Sequence, residues 1–258
     1  MKAKSAVHRF ARYIVNRHGG WIRDVVNRLV SRYSKIGDPE VFEAAAFPWT
    51  IELEAGWQTI RDEALAILAL RNCIPPLGEI SPDHTRLDHR RSWRTFFLWG
   101  YGYRIDDNCL HAPVTAALVD RVPGLISAMF SVHEPGTHLP RHRGVTKGMV
   151  TCHLGLKIPA DRENCAISVE DKLYNWTPGR FFVFDDTRHH EVWNRTAEDR
   201  VILLLHVKRP MRAPGAWLQN AFFGILRLSP FVGEAKTNML AWTRLFAVQA
   251  RSRQHSGA

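Results

Sequence analysis

Cysteine is scarce and unpaired in this chain of 258 residues. Cys73, Cys109, Cys152 and Cys165 form no C-x-x-C pair and show no even spacing, which argues against a disulfide framework. We therefore expect reduced thiols in a cytoplasmic protein. Long apolar runs are also missing, and none approaches the roughly 20 residues that a membrane-spanning helix needs. No apolar signal-peptide core follows the basic N-terminus, and a mitochondrial presequence is a minor alternative.

Acidic residues are scarce at both ends of the chain. Residues 1–35 contain nine Lys/Arg and the single acid Asp24, and residues 208–258 contain eight Lys/Arg and the single acid Glu234. The ends carry net charges of +8 and +7, so the segment between them carries −5. The basic residues alternate with apolar ones at helical spacing, which favours an amphipathic helix on an anionic membrane over a nucleic-acid groove. Gly19-Gly20 divides residues 7–34 into two predicted helices, which either pack on the body as surface helices, the first interpretation, or lie on a membrane.

The middle of the chain has a different pattern from its ends. Residues 1–93 and 211–258 mainly predict helices, whereas residues 94–210 predict short strands separated by turn signals such as Thr177-Pro178-Gly179. A helical stretch at 111–122 interrupts the strands. The predicted strands are 95–99, 126–132, 149–158, 166–169, 173–176, 180–185, 191–193 and 201–207. Many short strands at regular intervals predict a β-sandwich or barrel.

Two histidines have the surroundings of metal ligands. His142 lies in P-R-H-R-G and His190 in F-D-D-T-R-H-H-E-V-W, both in stretches that resemble strands. Imidazoles from opposite sheets of a sandwich can meet at one metal ion, and Asp185-Asp186 could orient the rings. Taken singly, each histidine is more often a packed or solvated side chain than a ligand.

A non-haem Fe(II) oxygenase needs such imidazoles, together with a cation that holds an oxo-acid co-substrate. Arg200, ten residues after His190, could be that cation. The usual third ligand, a carboxylate, is missing because Gly144 stands two residues after His142. Whether His138 or His189 assists stays open.

The wider pattern resembles the aspartyl/asparaginyl β-hydroxylase family, in segments 131–144, 153–159, 184–193 and 200–204. Members of that family are Fe(II)- and 2-oxoglutarate-dependent dioxygenases, among them protein hydroxylases and bacterial hydroxylases of lipid acyl chains. The resemblance implies a mainly β fold, with a double-stranded β-helix (a cupin-like jelly roll) at 94–210 flanked by N- and C-terminal helices. The flanks resemble the bacterial lipid-hydroxylase branch more loosely, at 33–39, 96–102, 208–210 and 235–242.

The resemblance also implies a role for each site residue. It assigns the iron to His142 and His190, and it makes the glycine in place of the carboxylate a trait of the family. It assigns the distal carboxylate of 2-oxoglutarate to Arg200, with help from Ser131, and places His153 near the metal-bound end of the co-substrate. The planar guanidinium fork of an arginine suits a carboxylate.

One position departs from the family pattern. The family commonly has an arginine two residues before the histidine that corresponds to His153, and here that residue is Thr151. If residues 147 to 153 form one strand, Lys147 shares a face with His153 and could supply the missing charge. Lys147 is therefore a predicted co-substrate residue.

The predicted activity is hydroxylation of an unactivated C–H bond with Fe(II), O2 and 2-oxoglutarate. We expect the substrate to be an acyl chain of a membrane lipid, with the protein attached peripherally to the inner face of the membrane and no nucleic-acid partner. The alternatives are β-hydroxylation of aspartyl or asparaginyl residues in a protein or peptide, and a non-enzymatic cupin-like binding module. Trp176 and Trp193 are expected to pack in the core rather than to contact substrate.

Overall fold

The computed structural model of this protein describes residues 24–256, apart from the side chains of Asp83 and residues 253–256. Its first helix, α1, comprises residues 24–32. The other helices are α2 (Thr50–Ala55), α3 (Trp57–Leu68), α4 (Leu77–Ile80), α5 (Asp106–Cys109), α6 (Pro113–Val119), α7 (Gly215–Arg227) and α8 (Pro230–Ser256). The strands are β1 (Val41–Phe42), β2 (Trp93–Gly100), β3 (Tyr103–Arg104), β4 (Leu125–His133), β5 (Thr137–His142), β6 (Met149–Lys157), β7 (Cys165–Val169), β8 (Lys172–Tyr174), β9 (Phe181–Phe184), β10 (His190–Asn194) and β11 (Arg200–Lys208).

The described strands form two antiparallel sheets. The major sheet has the order β1-β9-β6-β11-β4-β2-β3 and the minor sheet the order β5-β10-β7-β8. From β4 to β11 the chain passes back and forth between the sheets, so that β4-β11-β6-β9 stack on β5-β10-β7-β8. This is the topology of a double-stranded β-helix, and it confirms the predicted mainly β jelly roll with flanking helices.

The major sheet is buried on both faces, because its side chains alternate between two cores. Along β11, Val201, Leu203 and Leu205 belong to a core shared with Leu53 of α2, Ile60 of α3, Ala116 of α6 and Phe246 of α8. Ile202 and Leu204 point the other way, into a core shared with Leu139, Ile167 and Val192 of the minor sheet. The second core is the interior of the jelly roll, and the site residues lie on its strands.

The structure differs from the sequence-based expectations in three elements. The part before residue 94 also contributes β1, which pairs with β9 at the edge of the major sheet. Within that part, Gly56 separates two helices, α2 and α3; farther along the chain, β5 begins at Thr137, before the strand-like stretch expected around His142. Most of the helix predicted at 7–34 lies outside the described residues, and 24–32 is helical. The domain boundaries remain a prediction.

Within the described residues, no helix combines the length and apolarity required to cross a bilayer. The four cysteines are free, and three of them are buried.

Candidate active site

The two histidines singled out in the sequence lie next to each other, with their rings in contact. His142 and His190 are Cα partners on the neighbouring strands β5 and β10, and their ring centroids are 4.1 Å apart with the planes inclined at 55°. The sequence analysis expected the rings to come from opposite sheets. Instead both come from the minor sheet, because antiparallel pairing places directly opposed side chains on the same face.

An irregularity in β5 turns His142 toward the interior. Leu139 is buried in the interior core and pairs with Val192, whereas His142 pairs with His190. Two residues of β5, Pro140 and Arg141, therefore lie opposite one residue of β10, Glu191. Simple alternation from Leu139 would point His142 outward, because the two are an odd number of positions apart. A bulge of one residue re-aims the side chain, as bulges beside active sites do.

Each imidazole is held by the backbone carbonyl oxygen of the residue two positions earlier. The Nδ1 atom of His142 lies 2.8 Å from the carbonyl oxygen of Pro140, and the Nδ1 atom of His190 lies 3.0 Å from that of Arg188. A carbonyl oxygen only accepts, so each Nδ1 carries the hydrogen and each Nε2 keeps its lone pair. Metal-binding histidines are commonly oriented in this way. The predicted orienting role of Asp185 and Asp186 is therefore taken by backbone carbonyls.

Burial keeps both rings neutral. It lowers the pKa of His142, and together with the neighbouring His142 ring it lowers the pKa of His190 to about 4. A neutral imidazole is the form that binds a metal ion.

Gly144 lies against the carboxylate of Asp186, a contact that the sequence did not predict. The Gly144 N–H donates to the carbonyl oxygen of Asp186 at 2.6 Å, and a Cβ on Gly144 would lie 2.5 Å from the Asp186 carboxyl group. Burial, with the Asp185 charge, raises the pKa of Asp186 to about 7. A side chain at position 144 is therefore excluded by space that Asp186 already fills.

Arg200 is a buried cation. Its side chain is 1% exposed, its guanidinium lies 4.6 Å from the centroid of the Trp176 ring, and none of the carboxylates that the structure describes pairs with it. Burial lowers the pKa of Arg200 to about 10, so it is still charged at neutral pH. An unpaired buried charge is costly unless a counter-ion binds, so this arrangement favours capture of an anion such as a carboxylate.

Two neighbours on β4 complete the surroundings of Arg200. His133 is its Cα partner, and the Nδ1 atom of this buried ring has no partner in the part of the chain that the structure describes. Ser131 is fully buried, and its hydroxyl accepts a hydrogen bond from the Trp93 indole at 2.9 Å. The sequence pattern gave no role to His133. Its pairing with Arg200 could not be found without the register of β4 and β11.

His153 lies between the arginine and the histidine pair. Its Nδ1 accepts a hydrogen bond from the Trp176 indole at 3.1 Å, and its ring is 5.3 Å from that of Phe184, which is itself 5.2 Å from His190. Burial and the Arg200 charge hold the pKa of His153 well below its ordinary range. Trp176 is a core residue, as expected, and also forms part of this wall.

Lys147 does not lie where strand alternation predicted. β6 begins at Met149, so Lys147 precedes the strand. Its ammonium group pairs with Asp38 and, at 3.0 Å, with Asp185. Arg209 pairs with the same two carboxylates, at 3.2 Å and 3.0 Å. The ammonium is thus committed to a buried ion network, and contact between Lys147 and the co-substrate stays a prediction.

The remaining predicted residues are separated from the histidine pair or have other partners. Thr151 is buried two residues before His153 on β6. His138 is half exposed and pairs with Glu191 at 2.7 Å. Trp193 donates to the carbonyl oxygen of Glu163 at 3.0 Å. In the described residues, no group of three or more His, Cys, Asp or Glu side chains is arranged to hold a metal ion.

The donor set fits Fe(II), and the buried cation fits the acid end of 2-oxoglutarate. Two oriented, neutral imidazoles with free Nε2 atoms suit a divalent transition metal, and a position lacking a protein carboxylate leaves room for further ligands. His153 and Phe184 lie between Arg200 and the histidine pair. This separation suits a co-substrate that has an acid at each end.

Comparisons with known proteins agree with this arrangement. The sequence matches the Aspartyl/Asparaginyl beta-hydroxylase family over residues 54–210. It is 36% identical to the ornithine lipid ester-linked acyl 2-hydroxylase of Rhizobium tropici over 221 residues, covering 86% of this chain and 79% of that protein. It is 33% identical to the aspartyl/asparaginyl beta-hydroxylase of Homo sapiens over 167 residues, covering 63% of this chain and 21% of that protein. The chain belongs to the aspartyl/asparaginyl β-hydroxylase family, and it is a hydroxylase.

Proposed function

We propose that the protein is an Fe(II)- and 2-oxoglutarate-dependent dioxygenase that hydroxylates an unactivated C–H bond in an acyl chain of a membrane lipid. The observation that carries the proposal is the placement of the His142–His190 pair and the unpaired Arg200 on strands around one interior. His142 and His190 hold the metal through Nε2, and Arg200 with Ser131 holds the distal carboxylate of 2-oxoglutarate.

When bound, Fe(II) with 2-oxoglutarate and O2 supplies oxidation of the C–H bond, with release of succinate and CO2. The residues of this chain position the co-substrate and shield the reacting atoms from water. Arg200 neutralises the distal carboxylate, His153 lies beside the inner end, and the Phe182 and Phe184 rings, 5.3 Å apart, keep the interior apolar. A side-chain general base is not needed. Thr151 contributes no charge to the inner carboxylate, and the ammonium of Lys147 pairs with Asp38 and Asp185.

The lipid substrate is supported by the relative from Rhizobium tropici, which is named for an ornithine lipid and aligns with most of this chain. The human relative is named for aspartyl and asparaginyl residues and aligns over a shorter part. β-Hydroxylation of a peptide is therefore the second candidate.

Attachment to an anionic membrane surface is supported by α7. This helix exposes a row of large apolar side chains, with Trp217 71% and Ile225 73% exposed, and Leu218 and Phe222 between them. The segment that contains it is basic. A surface helix with exposed apolar residues and basic neighbours is typical of helices that lie in the membrane interface.

The test is incubation of the purified protein with Fe(II), 2-oxoglutarate, O2 and a bacterial lipid extract, followed by mass spectrometry of the intact lipids. We expect one added oxygen on an acyl chain and matching formation of succinate, both lost in His190→Ala. Hydroxylation of an Asp or Asn peptide with an unchanged lipid profile would support the second candidate. No succinate under any condition would support a non-enzymatic module.

A further inference from the structure

Buried charges surround the turn that leads from β9 to His190. The carboxylate of Asp185, the first residue of this turn, is completely buried and accepts from the Lys147 ammonium and from the Arg209 guanidinium, each at 3.0 Å. The Arg209 side chain is also completely buried, and Asp38 pairs with both cations. Two cations and two carboxylates thus form a charged network at the turn.

The Asp185 side chain holds the shape of the turn. Its Oδ1 accepts from the Thr187 N–H at 3.0 Å and from the Thr187 hydroxyl at 2.6 Å, and the Arg188 N–H donates to the backbone carbonyl oxygen of Asp185 at 3.0 Å. The carbonyl oxygen of Arg188 is in turn the acceptor that lies 3.0 Å from Nδ1 of His190. A displacement of the turn therefore moves the group that orients the His190 imidazole.

The segment before β1 is bound to the same turn. The Asp185 N–H donates to the carbonyl oxygen of Glu40 at 2.9 Å, and the Arg188 guanidinium donates to the carbonyl oxygen of Asp38 at 3.0 Å. Residues 38–40 precede the region 54–210 that matches the family. The N-terminal part of the chain therefore contributes to the support of His190 as well as to the packing of helices.

His142 differs from His190 in its support. Its Nδ1 atom lies 2.8 Å from the carbonyl oxygen of Pro140, which belongs to the same strand, β5. The side chains of the charged network make no hydrogen bond to β5 in the part of the chain that the structure describes. A disturbance of the network should therefore affect the two histidines unequally.

Stability alone does not account for these buried charges. Burial raises the pKa of Asp185, but Arg209, Thr187 and Lys147 more than offset this effect, so the pKa stays below its ordinary value and the group is charged. Buried ion pairs contribute little to stability, because the cost of desolvation offsets most of their attraction. What they do provide is a fixed geometry, since each charge has to meet its partner.

We propose that Arg209, Lys147 and Asp185 are positioning residues for the metal site. They fix the turn so that the Arg188 carbonyl oxygen holds His190 as the Nδ1–H tautomer, with Nε2 free to bind the metal. Groups that orient a histidine ligand in this way raise the affinity for the metal. The consequence for metal affinity rests on the proposed iron-dependent function, whereas the tautomer of His190 can be observed without metal.

The first test compares Arg209→Met with Arg94→Met. In Arg209→Met the Asp185 carboxylate loses its guanidinium partner, so we expect the Kd for Fe(II) to rise by about 10- to 100-fold, the range for loss of a group that supports a metal ligand. Arg94 is the matched control, because it is a partly buried arginine that pairs with Glu134 at 2.7 Å and makes no contact with the turn. Arg94→Met should bind Fe(II) like the native protein. Anaerobic calorimetry measures both affinities.

NMR of the metal-free protein gives a readout that a general loss of stability would not change. Long-range ¹H–¹⁵N spectra of protein labelled with ¹⁵N-histidine distinguish the Nδ1–H tautomer from the Nε2–H tautomer. In the native protein we expect Nδ1–H for both His142 and His190, with the signals assigned by their loss in His142→Ala and His190→Ala. In Arg209→Met we expect His190 to populate the Nε2–H tautomer, whereas His142 keeps Nδ1–H.

Asp38→Asn carries the test if Arg209→Met does not fold. The Asp38 side chain is 38% exposed, so its replacement weakens the network from its solvent side and leaves Asp185 paired with Arg209 and Lys147. We expect the same change of tautomer at His190, with a smaller rise in the Kd for Fe(II).

The results that would overturn the inference differ from those that would overturn the proposed function. An unchanged His190 tautomer in the folded variants, or an equal rise in Kd for Arg209→Met and Arg94→Met, would exclude the positioning role while the proposed function stands. Equal changes of tautomer at His142 and His190 would indicate general loosening and would exclude it too. If the native protein bound no Fe(II), the proposed function would fail, and the tautomer comparison would still decide the inference.

Discussion

At the scale of single residues, the candidate site depends on which groups are neutral and which stay charged inside one protein interior. Burial lowers the pKa of both His142 and His190, which favours the uncharged, metal-binding form of each ring. Arg200 is buried as well, but its pKa of about 10 keeps it charged. The ligand-free protein therefore keeps a cation in its core without a carboxylate partner among the described residues, which implies that stability has been given up for binding.

Replacement of Arg200 by methionine tests that trade-off. Arg200→Met keeps a long side chain and removes the buried charge, so we expect a higher Tm for the ligand-free protein and loss of detectable 2-oxoglutarate binding. Thermal unfolding and anaerobic calorimetry on the Fe(II)-loaded protein measure the two effects. A lower Tm with unchanged 2-oxoglutarate affinity would mean that Arg200 is a structural residue.

A second residue-scale prediction concerns stability in acid. His206 lies on the interior side of β11, near His84 and His153, and burial followed by the His84 charge lowers its pKa to about 4. The folded pKa is below the ordinary 6.5, so the unfolded state binds more protons between these values. The free energy of unfolding should therefore fall as pH drops from 6.5 to 4, by up to about 3 kcal/mol from His206 alone.

The measurement is urea unfolding of the native protein and of His206→Asn over this pH range. The variant should be less sensitive to acid, because its side chain does not titrate. Parallel curves for the two proteins would show that His206 is already protonated in the fold or does not contribute.

At the scale of elements, the bulge in β5 is the feature on which the metal pair depends. Arg141 lies in the bulge, is exposed and pairs with Asp171 at 2.5 Å. Insertion of one alanine between Glu191 and Val192, opposite the bulge, should restore plain alternation, point the imidazole of His142 outward and abolish Fe(II) binding, while the sheets still form. Arg141→Ala, which keeps the length of β5, is the control and should bind Fe(II) like the native protein.

Circular dichroism and metal-binding calorimetry on the two variants give the answer. Native Fe(II) affinity in the insertion variant would show that the bulge does not aim His142.

The strands with continuous apolar character could be predicted from the sequence to within one or two residues. β4, β6 and β11 are buried on both faces, so their hydrophobic runs are unbroken and easy to recognise. β5 has a different character. It carries Pro140 and four charged or polar side chains, and its inward positions are shifted by the bulge, so its composition and period indicate only a short strand around His142. β1 is too short to leave any signal.

Part of the candidate site could also be predicted from the sequence. The resemblance to a family identified His142, His190, Arg200, Ser131 and His153, and all five lie on strands of the jelly roll. Lys147 could not be placed, because its interpretation assumed that β6 starts two residues earlier than it does. Asp186 was expected to orient a histidine ring rather than to fill the space at Gly144, and His133 was assigned no role. Their importance comes from contacts with Gly144 and Arg200, which depend on how loops and sheets meet in space.

At the scale of the whole molecule, the exposed apolar face of α7 predicts how the protein meets a membrane. Trp217→Ser combined with Ile225→Ser should weaken binding to vesicles that contain anionic lipid, because two of the most exposed apolar side chains are lost. Binding of the native protein should also fall as salt is raised, because the surface charges are screened.

Vesicle sedimentation at several salt concentrations measures both effects. The control is Leu173→Ser, a change at an exposed apolar residue on β8 in the minor sheet. Equal loss of binding in the control and in the α7 double variant would show that α7 is not the attachment surface.

The account as a whole depends on one interior holding both a metal and a 2-oxo acid. The most direct measurement is turnover of the lipid in ¹⁸O-labelled O2, with both products analysed by mass spectrometry. The account predicts one labelled oxygen in the hydroxylated acyl chain, one in succinate in equal amount, and neither product with His142→Ala or Arg200→Met. Hydroxylated lipid formed without succinate, or turnover that survives loss of either residue, would contradict it.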